Sequence, residues 1–360
     1  MATNQQDELL KEQNALLREQ NEQLRQIVSV LNCDGREIYV NNINRDEIRN
    51  GFLVTSQRKK LWNVQINIMQ EFARICKKHN LRWFAIGGTL IGAARHDGFI
   101  PWDDDVDIAM LRPDYEKFRK IAVDEIKSPY HLDIWYNYRL ERDKPSELTD
   151  NSLPLISQNH YDNYPVQAPF LPLIKIRDKR TMAIEFPNDR SFNQGIWIDI
   201  FPMDSLPPFA EKQQQQNFDI ARVFFVATVR PDIIENAFQK SKHNTFVDGD
   251  TLQEFISLPY KQRGIKLEEL LAKNFFMSEH VGDLRDWCII NNKRFYQSKD
   301  FRDVVYLPFE KIEIPVPVGY ESVLTDFYGD WHKLVYSPGH LHFYSAEISW
   351  DEYLQKNASK

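Results

Sequence analysis

Two glycines followed at a set distance by paired acids constrain this chain more than any other feature in it. Ile86-Gly87-Gly88-Thr89 is followed, 17 positions after Gly88, by Asp105-Val106-Asp107. The pattern predicts a strand over 82–86, a glycine turn, a short helix over 89–94 and a second strand from 105 to 110. Gly87 and Gly88 let the backbone bend sharply and let a phosphate approach amide donors at a helix start. On an extended strand alternate side chains share a face. Asp105 and Asp107 therefore point one way, while Val106, Ile108 and Met110 point into a core. Two carboxylates at the rim of an apolar strand repel each other unless a cation lies between them. Hard oxygen donors of this kind suit a divalent ion such as Mg2+ or Mn2+. A calcium loop fails in detail: counted from Asp103, position six is Ile108 instead of glycine and position twelve is Asp114 instead of glutamate.

The chain's 360 residues suffice for one large domain or two. A net charge of −7 argues against duplex nucleic acid as the main partner and leaves small phosphates open. Cys33, Cys76 and Cys288 are scattered, without the spacing of a zinc site or a disulfide framework. A reducing cytoplasm is the expected home. The polar amino-terminal region does not read as a signal peptide, and the apolar run 223–229 is too short to span a bilayer. Membrane contact is expected to be peripheral at most.

Residues 1–32 read as a separate coiled-coil helix. Leu10, Leu17, Leu24 and Leu31 recur every seventh position, with Asp7, Asn14, Asn21 and Val28 at the other seam. A homo-oligomer formed through residues 7–31 is the expectation. Leu9 and Leu16 widen the apolar stripe and leave a trimer, or packing on the rest of the chain, open. Residues 33–56 read as a linker. Leu61, Val64, Ile68, Phe72 and Ile75 mark a core-facing helix over 57–79. A strand ends in Lys175-Ile176-Arg177, and Gly195–Met203 is β-rich with one acid, Asp199, in its middle. A carboxylate there is costly to bury unless paired or metal-bound. Beyond residue 207 the chain reads as mainly helical, including 221–237, 252–276 and 281–295. Extended character returns at Ile314-Pro315-Val316-Pro317.

The block from Gly87 to Met110 (Gly-Gly-Thr-Leu-Ile-Gly-Ala-Ala-Arg-His-Asp-Gly-Phe-Ile-Pro-Trp-Asp-Asp-Asp-Val-Asp-Ile-Ala-Met) resembles the signature of the LicD family. That family comprises phosphocholine transferases of bacterial surface glycans, related to the fukutin group of ribitol-phosphate transferases. Lys175–Thr181, Trp197–Asp204, Ile314–Pro317 and Tyr328-Gly329-Asp330 fit the same pattern, so the resemblance spans about residues 57–345. It departs at Trp331, where the family's Tyr-Gly-Asp-Tyr ends in tyrosine, and in a longer gap between glycines and acids than in the wider superfamily.

The resemblance implies an α/β, nucleotidyltransferase-like fold similar to the DNA polymerase beta superfamily: a mixed sheet flanked by helices. Residues 57–207 would form the catalytic core, and 208–360 would complete the substrate site. It further implies a CDP-linked donor, a glycan or lipid-linked saccharide acceptor such as lipopolysaccharide or capsule, and release of CMP. Asp105, Asp107 and Asp199 are the expected catalytic and metal-binding acids. Gly87, Gly88 and Thr89 are expected to contact phosphate. Arg95, Lys175 and Arg177 are candidates for positive charge around the same phosphates, the other reading being surface cations or partners of carboxylates. Asp103 and Asp104 are candidates for tuning the site, and His96 for an acid or base. Two competing readings are a sugar-nucleotide-dependent glycosyltransferase using the Asp-x-Asp pair, and a zipper-dimerised scaffold without catalysis.

Overall fold

The computed structural model describes residues 35–134, 173–185, 193–205, 279–283, 295–336 and 342–357, with isolated positions between 254 and 272. The coiled coil at 7–31, the helix at 221–237 and most of that at 252–276 lie outside the described residues.

The described chain opens with an antiparallel hairpin of β1 (Glu47–Arg49) and β2 (Phe52–Val54). Asn50 and Gly51 make its two-residue turn, both with positive φ (50° and 78°), as a type I′ turn requires. This hairpin occupies part of the expected linker; Asn-Gly between short apolar runs was the signal for it. Helix α1 (Ser56–Lys78) follows, with Thr55 Oγ1 accepting the Arg58 N–H at its start and Lys77 and Lys78 in its last turn. Strand β3 (Phe84–Ala85), helix α2 (Gly87–His96) and strand β4 (Asp107–Leu111) come next. The predicted strand–turn–helix–strand unit is thus present, its helix starting at the glycines themselves. Then come α3 (Arg112–Glu125), β5 (Tyr130–Ile134), β6 (Ile174–Asp178), β7 (Met182–Ile184) and β8 (Ile196–Ser205).

Beyond residue 207 the segment expected to be helical lies mostly outside the described residues, and the positions described between 254 and 272 are mostly helical. The other described residues there form β9 (His280–Gly282), β10 (Tyr296–Gln297), a 3-10 turn (Ser298–Phe301), β11 (Val304–Phe309), β12 (Ile312–Pro317), α4 (Tyr320–Tyr328), β13 (Phe343–Ser345) and α5 (Trp350–Asn357). Val281 and Gly282, read from sequence as helical, are in a strand because β9 finds an open edge at the end of β8.

A seven-stranded mixed sheet organises the described molecule. Its path runs β10-β9-β8-β4-β3, with β6 also on β8 and β5 on β6. Only β4 and β8 pair in parallel; the other pairings in this sheet are antiparallel. β8 is its central strand, buried along its whole length. Ile108, Met110, Ile176, Ile198 and Ile200 are fully buried, as are Trp62 and Phe72 of α1 and Phe118 of α3. Their removal from water is the main favourable contribution to folding. No helix among the described residues is long and apolar enough to cross a membrane.

Candidate active site

Register decides which charges meet. In the parallel pair, Asp107 of β4 lies opposite Asp199 of β8. In the antiparallel pairs, Asp199 lies opposite Lys175 of β6, and Lys175 opposite Asp133 of β5. Directly opposed residues project from the same side of a sheet, so Asp107, Asp199, Lys175 and Asp133 form one row across four strands.

Helix α1 holds the acidic run in place. The Trp62 indole N–H and an Arg58 guanidinium N–H donate to the Asp103 carbonyl at 2.9 and 2.8 Å, and the Gln65 amide donates to the Asp104 carbonyl at 2.8 Å. These bonds tie the backbone of the acidic run to α1. Asp103, Asp105 and Asp107 all line one side of a cavity of about 430 Å3, a size typical of small-ligand sites. Tyr328, Asp330, Trp331 and Lys333 also line it.

The glycines are needed because the acids pack over them. A Cβ on Gly88 would lie 2.4 Å from Asp103 Oδ2, and one on Gly87, whose φ is +56°, would lie 2.9 Å from Asp107 Oδ2. Thr89, expected to offer its hydroxyl to phosphate, is buried, and its Oγ1 accepts the Asp107 N–H at 2.9 Å. It ties the helix start to the acid strand.

Like charges crowd this wall. Burial and the neighbouring Asp105 push the Asp103 carboxyl well above the usual carboxylate range, and the two side chains share a hydrogen bond. Burial, followed by the charges of Asp104 and Asp199, raises Asp105 as well. Carboxyls crowded in this way favour a nearby positive charge. Hard oxygen donors held this close fit a divalent ion. As the side chains stand, however, no group of three or more His, Cys, Asp or Glu among the described residues has ligand geometry.

Asp199 explains part of that. Its Oδ1 pairs with Lys175 Nζ at 2.7 Å, and its Oδ2 accepts the Trp197 indole N–H at 2.9 Å. Its residue neighbours Asp107, but its oxygens are engaged away from the cavity. Lys175 and Arg177, candidates for phosphate binding, are committed to carboxylates instead. Lys175 also meets Glu185 at 3.0 Å. Arg177 is fully buried and donates to Asp133 at 2.8 Å, to Glu185 at 2.7 Å and to the Gly195 carbonyl at 3.2 Å. Both cations pack on the Trp197 ring, at 4.5 and 5.0 Å. The physical reason is alternation: residues 175 and 177 share the face of β6 that carries this buried acidic cluster.

Arg95 does reach the cavity wall. Its Nη1 donates to the Trp331 and Lys333 carbonyls at 2.7 and 2.9 Å. His96 Nε2 accepts from Arg95 Nε at 3.0 Å, and burial, with help from Arg95 and Arg49, lowers it to about 4. A histidine held neutral this way is no general acid at neutral pH. Asp204, quoted only as part of a motif, is buried and bound through both oxygens to Arg112, at 2.6 and 2.7 Å. Sequence reasoning missed Lys333 altogether and left Tyr328, Asp330 and Trp331 without roles, because no local spacing ties them to an acidic run more than 200 positions earlier. Asp103, read from sequence only as a candidate for tuning the site together with Asp104, lines the cavity beside Asp105 and Asp107.

Residues 80–207 match the LicD/FKTN/FKRP nucleotidyltransferase domain, which brackets the glycine turn, the acidic run and β8. Within those residues the chain is similar to the LicD family. It is 26% identical over 282 residues to the lipopolysaccharide cholinephosphotransferase LicD of Haemophilus influenzae, covering 75% of this chain and 89% of that one. Shorter stretches match uncharacterized proteins of two Rickettsia species. In Rickettsia typhi the identity is 38% over 66 residues, covering 18% of this chain and 21% of that protein. In Rickettsia prowazekii it is 40% over 47 residues, covering 13% and 18%. The glycine turn and the acidic run both fall inside the matched domain.

Proposed function

We propose that this chain transfers a substituted phosphate, phosphocholine or a close relative, from a CDP-linked donor to a hydroxyl of a surface glycan. The observation that carries this reading is the cavity itself: Asp103, Asp105 and Asp107 line it together with Arg95 and Lys333. The Haemophilus protein, named a lipopolysaccharide cholinephosphotransferase, supports the choice of transferred group and acceptor class.

Asp105 and Asp107, joined by Asp103, would hold Mg2+ or Mn2+. When bound, the ion supplies positive charge to the donor's phosphate oxygens. Lys333 and Arg95 add fixed positive charge to the same cavity, which a diphosphate-linked donor needs for orientation. In the reaction, the acceptor oxygen forms a bond to the transferred phosphorus as the bond to CMP breaks. The hydroxyl proton passes to a carboxylate of the same wall. Asp199 acts from beside: neighbouring Asp107 in register, it is anchored by Lys175 and Trp197 and supports the acid strand.

A donor screen tests this. Purified protein is mixed with CDP-choline, CDP-ribitol, CDP-glycerol and UDP-sugars, with and without Mg2+, and followed by thermal shift and product analysis. Metal-dependent stabilisation by a CDP-linked compound, with CMP and a phosphodiester as products, is the expected result. UDP and a glycoside as products would overturn it in favour of a glycosyltransferase. Absence of turnover, with no donor stabilising the fold, would leave the scaffold reading standing.

A further inference from the structure

Asp104 is the acid of the run that does not face the cavity. Its side chain is buried away from the cavity lining, 4% exposed. There Oδ2 accepts the His342 main-chain N–H at 3.0 Å, and the His342 ring Nδ1 lies 3.4 Å away. The His342 ring in turn packs edge-on against Trp197, centroids 4.9 Å apart, and Trp197 is the residue whose indole holds Asp199. Next to His342, β13 pairs with β7, and the Tyr344 carbonyl accepts a hydrogen bond from Gln57 at 3.3 Å. On the other side of the acidic run, Arg95 donates to the carbonyls of Trp331 and Lys333. Those two residues line the same cavity as the acids. The carboxyl-terminal part of the chain is therefore fastened on both sides of the acidic run, by one residue of α2 and one of the run itself.

We infer that Asp104 is a positioning residue: through His342, and together with Arg95, it docks the carboxyl-terminal segment that lines the same cavity. The inference rests on the reading of this cavity as the reaction chamber. It divides the labour within one tripeptide. Asp103 and Asp105 face the reactants, and Asp104 holds the segment that completes their cavity. Losing a docked wall weakens binding of ground state and transition state alike, which raises KM more than it lowers kcat. Losing a carboxylate that meets the reacting phosphate does the reverse.

Three variants of the full chain test it: Asp104→Ala, Asp104→Asn and His342→Ala. In Asp104→Ala and His342→Ala, KM for the donor should rise about tenfold, the scale of one lost charge-assisted hydrogen bond, with kcat falling less than about threefold. Asp104→Asn keeps an oxygen that accepts the His342 N–H and should recover most of the loss. Hydrogen exchange at 329–336 and 342–346 should quicken in the two alanine variants and stay near wild type in Asp104→Asn. Unchanged exchange in both alanine variants would overturn the inference, as would a lowered Tm with KM unmoved, or a collapse of kcat at constant KM. If no CDP-linked donor is turned over at all, the proposed reaction falls, while hydrogen exchange still decides whether Asp104 docks the segment.

Discussion

The cavity wall and the buried cluster beside it use the same residue types to opposite ends. On the wall, Asp103 and Asp105 crowd against each other with Asp107 close by, and burial raises the first two above their ordinary range. Beside it, Asp199, Lys175, Glu185, Arg177 and Asp133 alternate in sign, each carboxylate meeting a cation within 3.0 Å. Like charges placed together keep an affinity for something positive. Opposite charges buried together satisfy one another and bind nothing further. Reading both groups as one phosphate-binding constellation, as residue type alone suggests, conflates a site with its foundation.

Asp107→Ala probes the wall and carries the largest expected effect. Turnover should fall about a thousandfold, the loss of several kcal/mol of metal-borne transition-state stabilisation. Its Tm should stay level or rise, because one of three neighbouring acids is gone. Activity close to wild type would remove Asp107 from the chemistry and erase the contrast between the two regions.

Arg177→Met probes the foundation. Stripping a fully buried guanidinium from Asp133 and Glu185 should cost about 3–5 kcal/mol, read as a lower urea midpoint. Molecules that remain folded should keep their donor KM. A stable variant with a raised donor KM would instead return Arg177 to the phosphate.

The smallest effect belongs to His96, which packs beside Arg95 and Trp102. Its folded value of about 4 lies below the ordinary histidine value. Above about pH 6.5 the ring is neutral in folded and unfolded chains alike, so it is silent there. As pH falls toward 4 the unfolded chain takes up the proton first, and stability drains away. His96→Gln should therefore narrow the gap between urea midpoints at pH 7 and pH 5, with kcat at pH 7 within about twofold of wild type. A large loss of kcat would make His96 a participant after all.

Much of the local structure was readable in advance. The glycine pair, the apolar alternation from Asp107 onward and the stripe from Leu61 to Ile75 each encode their element within a few residues, and the structure places a helix start, a strand and a helix there. The roles of Thr89, Lys175 and Arg177 were not readable. A hydroxyl or a cation near a phosphate motif looks the same whether it faces ligand or core. Val281 was misread for a related reason: a short apolar stretch becomes strand or helix according to which edge is free to receive it.

Taken alone, the sequence settled what repeats over two to four residues: where the chain bends, which strand bears the acids and which helix faces the core. Steric preference and hydrophobic periodicity act at that range. The tertiary structure decided which charges became neighbours. It set β8 against β4 and β6 in one particular register, and it brought residue 342 back to residue 104 across 238 positions of chain. Contacts of that span depend on the packing of the whole core, and no short-range pattern records them.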